Sequence, residues 1–285
     1  MIWSIVSKAE VETYGASSVI KRYKEAVGCS NITQVVVEET DKLDFVKDGD
    51  IVLLRTASKQ LIETIAKKGV KTTAEDFSKY ELAWNKKQMG DFLRSHEVNI
   101  PRQFQLSEVK KGKVYIVKPM DSCDSIGISK DSICFTKEEV LKQCQNIEAT
   151  TRCQAIIEEY IHGREFTVAV LNNTSLSTFA AEAILDPKVG IQTYELKKNR
   201  EILFQKVEGK MNKNLCEIAE KVFKELNLKS HARIDFRCDK EDNLYVIDVN
   251  LIPGLGPKEY LPRVMLLSDN ISYIDAFKAV IATAK

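Results

Sequence analysis

Apolar and polar positions divide the 285-residue chain into stretches of different rhythm. Up to about residue 78, short apolar runs alternate with helical spacings. Residues 2–6 and 33–38 read as strands, and Gly49 and Asp50 lead into a buried strand at 51–55. Val11, Tyr14, Val19, Ile20 and Tyr23 recur at roughly helical spacing over 10–26. A second helix at 60–68 ends at Gly69, a C-cap residue, and 70–73 adds a last short strand. Alternating strands and helices favour a parallel sheet with helices on both faces.

Beyond that point the order of elements changes. Residues 80–96 predict one helix, with Leu82, Met89, Phe92 and Leu93 on its apolar face. Strands at 114–119 and 126–129 flank a polar loop, and Thr136 opens a helix to about 147 with Glu138 and Glu139 in its first turn. Strands at 155–161 and 165–171 then meet at His162-Gly163-Arg164. Strand, loop, strand, helix, strand is an antiparallel α+β module, distinct from the first unit. After a strand at 178–184, residues 187–208 are polar, lysine-rich and weakly periodic, which predicts a long loop of the kind that forms lids. A helix at 213–226, a hairpin and a closing helix at 271–284 complete the pattern, with no repeat and no low-complexity tract.

The hairpin holds the densest chemistry. Strands at 232–238 and 244–249 flank a polar turn at 239–243. Side chains two apart on a strand share a face, so Arg233 points with Asp235, and Asp248 with Asn250. Two carboxylates and an amide oxygen suit Mg²⁺, which is usually shared with substrate phosphates. A surface hairpin with solvated charges is the plain alternative. The apolar, glycine-punctuated loop at 251–257 argues against it, because such a loop suits close backbone approach to a ligand.

Composition narrows the partners. Basic and acidic residues number 42 and 41, leaving no global basic field for nucleic acid. Apolar runs such as 51–54 are too short to span a bilayer, and residues 1–6 lack the basic start and cleavage site of a signal peptide. Cys29, Cys123, Cys134, Cys144, Cys153, Cys216 and Cys238 are scattered without a C-x-x-C, which fits reduced thiols better than disulfides or a zinc site. His96, His162 and His231 are too dispersed to form a metal set, and Trp3 and Trp84 read as core or subdomain contacts. The expectation is a cytoplasmic protein with small-molecule partners, no nucleic acid and no membrane.

Four blocks now resemble the ATP-grasp superfamily, specifically its D-alanine–D-alanine ligase branch. They are Tyr-Ile-Val-Lys-Pro at 115–119, Ser-Ile-Gly-Ile-Ser-Lys at 125–130, the run at 158–170 that begins Glu-Glu-Tyr-Ile-His-Gly-Arg-Glu, and the hairpin with its loop. Together they cover about residues 82–285. The resemblance implies a mixed α/β and α+β chain with an ATP-grasp fold. A small α/β domain at 1–80 would precede two α+β subdomains, at 81–163 and 164–285, that sandwich ATP. The implied chemistry is an ADP-forming ligation of a carboxylate to an amine through an acyl phosphate.

The same resemblance assigns residues. Lys86, Lys118 and the lid residue Lys197 match phosphate-binding lysines, and Ser125 and Gly127 match a mobile flap over the phosphates. Glu158 matches the position near the adenine amino group, Glu159, Tyr160 and Ile161 supply backbone and apolar contacts, and Glu165 matches the ribose-binding acid. Asp235, Asp248 and Asn250 match the ligands of one or two Mg²⁺ ions, with Mn²⁺ as a substitute; the family usually has Glu at the position of Asp248. Arg233 and the backbone N–H of Gly254 match the groups that stabilise the acyl phosphate and the tetrahedral oxyanion.

Departures from the family gather on the substrate side. Cys123-Asp124-Ser125 stands where the ligases carry Gly-Ser-Ser, so Asp124 replaces a substrate-side Ser, and Cys123 has no paired base to make it a nucleophile. Glu259, next to Lys258, falls where a Ser would grip the second D-alanine's carboxylate, and Lys198 replaces a lid Tyr. The amino-terminal stretch lacks Gly-Gly-x-Ser-x-Glu and His-Gly-x-x-Gly-Glu; residues 50–69 look more like the amino-acid-adding ligases related to ribosomal protein S6 modification. Asp124 and Glu259 would suit an amine-bearing or cationic acceptor, while Lys198 and Arg55 would suit a carboxylate. The reading is therefore a ligase of amino acids or short peptides. A true D-alanine–D-alanine ligase and a nucleotide-binding partner protein without catalysis stand as alternatives. Homodimers are common in the family, and the altered amino-terminal stretch leaves that inheritance open.

Overall fold

A computed structural model describes residues 1–14, 32–121, 127–186, 190–199 and 202–285, without the side chains of residues 13, 14 and 198. The first sheet is built from β1 (Ile2–Ser7), β2 (Ile32–Val37), β3 (Ile51–Leu54) and β4 (Lys71–Thr72) in the order β2-β1-β3-β4, with every pairing parallel. This is the parallel α/β unit that the alternating pattern predicts. Of the helix predicted at 10–26, α1 (Lys8–Tyr14) is described and the remainder lies outside the described residues. Helix α2 (Lys59–Lys68) is capped by Ser58, whose side chain accepts from Leu61, and ends at Gly69 with φ 65°. Trp3 anchors the sheet as expected: its indole donates to Asp50 at 2.8 Å and packs edge-on against Phe45.

The helix predicted at 80–96 is instead two helices, α3 (Phe77–Trp84) and α4 (Lys86–Ser95), broken at Asn85. Asn85 adopts an extended backbone and accepts from Gln88 through its side chain, so it caps the second helix. Apolar periodicity runs through the break because both helices cover one core, and the cap is the only local sign of it. Trp84, at the break, is 38% exposed, so it is a rim residue and not a core one.

The second sheet contains β5 (Gln103–Phe104), β6 (Tyr115–Pro119), β7 (Ile133–Cys134) and β8 (Ala155–Glu159) in the order β5-β8-β6-β7, all antiparallel. The second strand of this module falls at Ile133–Cys134, after a 3₁₀ turn; of the strand expected at 126–129, residues 127–129 are turn and loop, and Ile126 lies outside the described residues. Helix α5 (Lys137–Thr151) packs on this sheet. It opens with the capping box between Thr136 and Glu139, as the sequence signals, and runs one turn further than expected.

The third sheet has β9 (Arg164–Asn172), β10 (Leu176–Ile184), β11 (Leu203–Lys206), β12 (His231–Cys238) and β13 (Leu244–Asn250), in the antiparallel order β11-β10-β9-β12-β13. The stretch expected to be one long loop contains α6 (Tyr194–Asn199) and β11, whose polar composition reflects an edge strand with exposed residues. Helix α7 (Gly209–Glu225) buries Leu215, Ala219, Val222 and Phe223 against one face. The other face is covered by α8 (Tyr260–Asp269) and α9 (Tyr273–Ile281). Sequence pattern missed α8, which follows the apolar loop directly and carries Pro262 in its first turn, where proline is tolerated.

First and third sheets are tied by a buried polar seam. Glu75 accepts from the backbone N–H groups of Lys229 and Ser230 at 2.7 and 2.9 Å, and Ser230 bonds His231 Nδ1 at 2.8 Å. Burial, helped by the nearby Arg55 charge, pushes the His231 imidazole from 6.5 down to about 3. The fold therefore favours neutral His231. Its contribution is complete above the unfolded value near 6.5 and is lost as pH falls towards 3. His231→Met is expected to flatten the acid limb of stability against pH, which costs the parent on the order of 3 kcal/mol by pH 4. Urea unfolding at pH 7 and pH 4 checks this, and equal acid sensitivity in both proteins would refute it.

Candidate active site

Strand pairing places the candidate residues before any ligand is considered. On the third sheet, Arg237 lies opposite Glu165, Asp235 opposite Thr167 and, on its other side, Asp235 opposite Asp248. Directly paired residues share a face, so one polar row crosses β9, β12 and β13. Intervening residues Ala232, Ile234 and Phe236 point the other way into the core under α7. The pairing of β12 with β13 shifts between Asp235 and Phe236, so Ile247 and Asp248 together oppose Asp235. That bulge lets an apolar and an acidic neighbour both face one cleft.

The second sheet supplies the opposite wall. Ile116 pairs with Glu158 and Lys118 with Ile156, which puts Lys118 and Glu158 on one face, diagonal to each other. Their side chains form an ion pair at 2.6 Å, 8% and 6% exposed. Gln103 bridges Glu158 and the Lys86 carbonyl at 3.3 and 3.2 Å. Lys86 itself opens α4 and donates its backbone N–H to Met120, just past β6. The acid and the two lysines assigned to different parts of a nucleotide thus stand together at one strand end.

Between the walls lies a cleft lined by Lys86, Lys118, Glu158, Glu159, Tyr160, Ile161, Glu165, Lys197, Asp235, Arg237 and Asp248, with Ile116, Ile128, Ile191 and Ile247 as apolar surface. It gathers cations, acids and flat apolar surface at one place. Gly127 abuts this region with φ 78°, and a Cβ there would meet Pro119 at 2.7 Å, so only glycine fits.

Electrostatics differ along the polar row. Arg233 donates to both oxygens of Asp235, at 3.0 and 2.9 Å, and lies 3.6 Å from Asp248. Burial opposes the Arg233 charge, but Asp235 and Asp248 outweigh it and raise its pKa above the ordinary value. Asp235 also accepts from Thr167 at 2.9 Å. Glu165 is buried, which pushes its carboxyl pKa up against the pull of Arg237 and Lys197. Tyr260 lies beneath two cations, 5.0 Å from Arg233 and 5.5 Å from Lys197, and its hydroxyl donates to Gln192 at 2.5 Å.

Arg237 is the member that sequence reasoning missed. Its guanidinium binds Glu165 at 3.0 Å, the Ile161 carbonyl at 2.8 Å and the Gly190 carbonyl at 2.9 Å. The signal was present, since Arg233, Asp235 and Arg237 alternate along one strand. Arg55, read as a carboxylate binder, is buried and donates to the Pro253 carbonyl at 2.6 Å.

Asn250 accepts from the Ile252 N–H at 2.9 Å, which starts the loop into Gly254. A Cβ on Gly254 would lie 2.6 Å from the Glu259 carboxylate, so Glu259 stacks directly over that glycine. Lys258 is exposed at the loop end, and Glu259 takes the N-cap position of α8. Asp124 and Ser125 lie outside the described residues, as does Cys123; Lys198 is described only as part of α6.

Donor chemistry decides whether a hard cation fits. Among the described residues no three His, Cys, Asp or Glu converge, so a cation would have two carboxylates and an amide. Asp248 is partly exposed at the cleft, while Asp235 keeps unused lone-pair capacity beside its bonds to Arg233. Oxygen-only donors at a cleft that also gathers lysines fit Mg²⁺ shared with phosphates.

Comparison with known proteins identifies the family. The family model described as "D-ala D-ala ligase C-terminus" matches residues 85–281, more than half of the chain. The chain belongs to that family. Within it, a D-alanine–D-alanine ligase of Aquifex aeolicus is 34% identical over 149 residues, 52% of this chain and 48% of that protein. The Rickettsia akari enzyme of the same name is 26% identical over 214 residues, 71% and 64% of the respective lengths. The matched region thus spans between about half and two thirds of these two relatives.

Solved structures extend the likeness to the whole fold. A D-alanine–D-alanine ligase from Bacillus anthracis complexed with ATP has a TM-score of 0.72 at 18% identity, covering 99% of this chain and 96% of that one. VanG D-Ala:D-Ser ligase from Enterococcus faecalis has a TM-score of 0.73 at 16% identity, with coverage of 99% and 98%. The family member described here has the ATP-grasp fold. No helix among its described residues is long and apolar enough to cross a membrane.

Proposed function

We propose that this chain is an ATP-dependent carboxylate–amine ligase acting on amino acids or a short peptide. It would transfer the γ-phosphoryl group to a carboxylate oxygen with loss of ADP. An amine would then attack the acyl phosphate, expelling phosphate and losing a proton to form an amide. The observation that carries this reading is the meeting, in one cleft, of Lys86, Lys118 and Lys197 with Asp235 and Asp248. Three functional parts follow, corresponding to residues 1–80, 81–163 and 164–285, each with its own sheet.

In this reading the lysines bind phosphate oxygens, and the isoleucine-lined surface holds the base. Glu158 holds the Lys118 ammonium in the cleft. Asp235, Asp248 and Asn250 hold Mg²⁺, which when bound neutralises charge on the transferring phosphoryl group. Arg233, kept charged by its two acids, and the Gly254 N–H face the oxyanion of the tetrahedral stage. Ligation takes place in the cytoplasm on small-molecule substrates.

D-alanine appears in the relatives' names, but Glu259 argues for a different acceptor here. Its carboxylate lies over Gly254, where a second carboxylate would be repelled by about 1 kcal/mol or more. A cationic or diamino acceptor would be attracted instead. The test offers ATP, Mg²⁺ and every pairing of amino acids to the purified protein and reads ADP and phosphate. An acceptor with a second amino group is expected to give the fastest release, and Glu259→Ser to move preference towards D-alanine about fivefold or more. Tight ATP binding without ADP formation for any pairing would overturn the ligase reading. D-alanyl-D-alanine as the best product would overturn the acceptor assignment alone.

A further inference from the structure

Arg55 directly follows the central β3 strand of the first sheet, where its backbone N–H donates to the Ile5 carbonyl at 2.8 Å. Its guanidinium is buried and spans 198 positions of sequence to donate to the Pro253 carbonyl at 2.6 Å. That oxygen belongs to the same peptide unit as the Gly254 N–H. In a trans peptide the C=O and N–H are held in one plane and point in opposite directions, and the described residues contain no cis bond. Fixing the carbonyl therefore fixes the direction of the N–H. A cation on the carbonyl also draws electron density through the amide, making the N–H a stronger donor. Two peptides earlier, Asn250 accepts from the Ile252 N–H at 2.9 Å, so the loop is held from both sides.

We propose that Arg55 is a positioning residue, which aims and polarises the Pro253–Gly254 peptide so that the Gly254 N–H receives the oxyanion formed when the amine attacks. The inference rests on the ligase reading above. It places a residue at the edge of the first α/β unit in control of the second half-reaction, while the proposed nucleotide contacts come from residues 86–248. Arg55 itself touches no substrate. Its loss would leave ATP binding intact and slow the amine-dependent step.

Two measurements test this separately from the ligase reading. Pro253-Gly254 is the only Pro-Gly pair in the sequence. Labelling proline carbonyls with ¹³C and glycine nitrogens with ¹⁵N therefore isolates this one amide in an HNCO spectrum, without any substrate. Arg55→Met is expected to move that peak in both carbonyl and amide dimensions, with Arg55→Lys and Arg55→Gln between it and the parent. The same proteins are then assayed with the carboxylate that gives the fastest phosphate release in the screen, using hydroxylamine as the amine. For Arg55→Met, kcat is expected to fall roughly 10- to 100-fold with KM for ATP within about twofold, and Arg55→Lys to recover part of the loss. An unmoved peak, or a moved peak with unchanged kcat, would overturn the proposal. If Arg55→Met does not fold, the Lys and Gln variants decide by the same readouts. A parent protein that turns over no carboxylate would sink the ligase reading instead, while the peak still reports on the tie.

Discussion

Asp248→Ala is expected to cut ATP-dependent phosphate release by about 10²- to 10³-fold while leaving the protein as stable as the parent. Asp235→Ala is expected to lose activity to the same degree and also about 3–5 kcal/mol of stability. Both acids belong to the same proposed Mg²⁺ site, and their surroundings separate them. Asp248 is 32% exposed at its side chain and 3.6 Å from Arg233, so its removal uncovers little. Asp235 is 5% exposed and holds Arg233 by two hydrogen bonds, so its removal leaves a buried guanidinium with only the more distant Asp248 as counter-charge. Asp235→Asn should fall between these, because an amide oxygen can still accept from Arg233. Urea unfolding with a phosphate-release assay checks the pair. Equal stability of the two alanine variants would refute the account of Arg233, and full activity in Asp248→Ala would remove the metal assignment.

Arg237→Leu is expected to destabilise the protein by a similar amount, about 3–5 kcal/mol, because Glu165 would stay buried without its cation. The Ile161 and Gly190 carbonyls would lose their donor in the same step. In Arg237→Leu/Glu165→Leu, the apolar pair removes the unpaired charge and most of the loss should return. Comparing unfolding midpoints of the singles and the double measures the coupling. Additive losses would show that Arg237 acts through the carbonyls alone. Nucleotide affinity should fall in all three variants, since Ile161, Glu165 and Arg237 line the same cleft.

Local signals were legible where the side chain itself states the geometry. Thr136 with Glu139, and Gly69, marked helix ends because capping is a contact between near neighbours. Spacing by two put Arg233 with Asp235 for the same reason. Signals failed where tertiary packing overrides local pattern. Asn85 breaks a helix whose apolar stripe continues across it, and β11 is recruited as a polar edge strand by its pairing with β10. The role of Arg237 depends on Glu165, 72 positions away, and that of Arg55 on Pro253, 198 positions away. No spacing rule reaches so far, so four blocks in order conveyed the cleft as a whole while its internal ties stayed hidden.

Strand β13 is written in two reading frames. Leu244 and Val246 face the core in one frame, and Val249 and Leu251 in the other, with Ile247 as the extra letter between them. Deleting Ile247 would leave each half correctly phased and merely shorten the cleft wall. Deleting Val249 would force either Asp248 or Asn250 towards the apolar side, so one lost residue would exchange a binding surface for a buried charge or amide. The length of this strand, counted residue by residue, is therefore constrained more tightly than its composition.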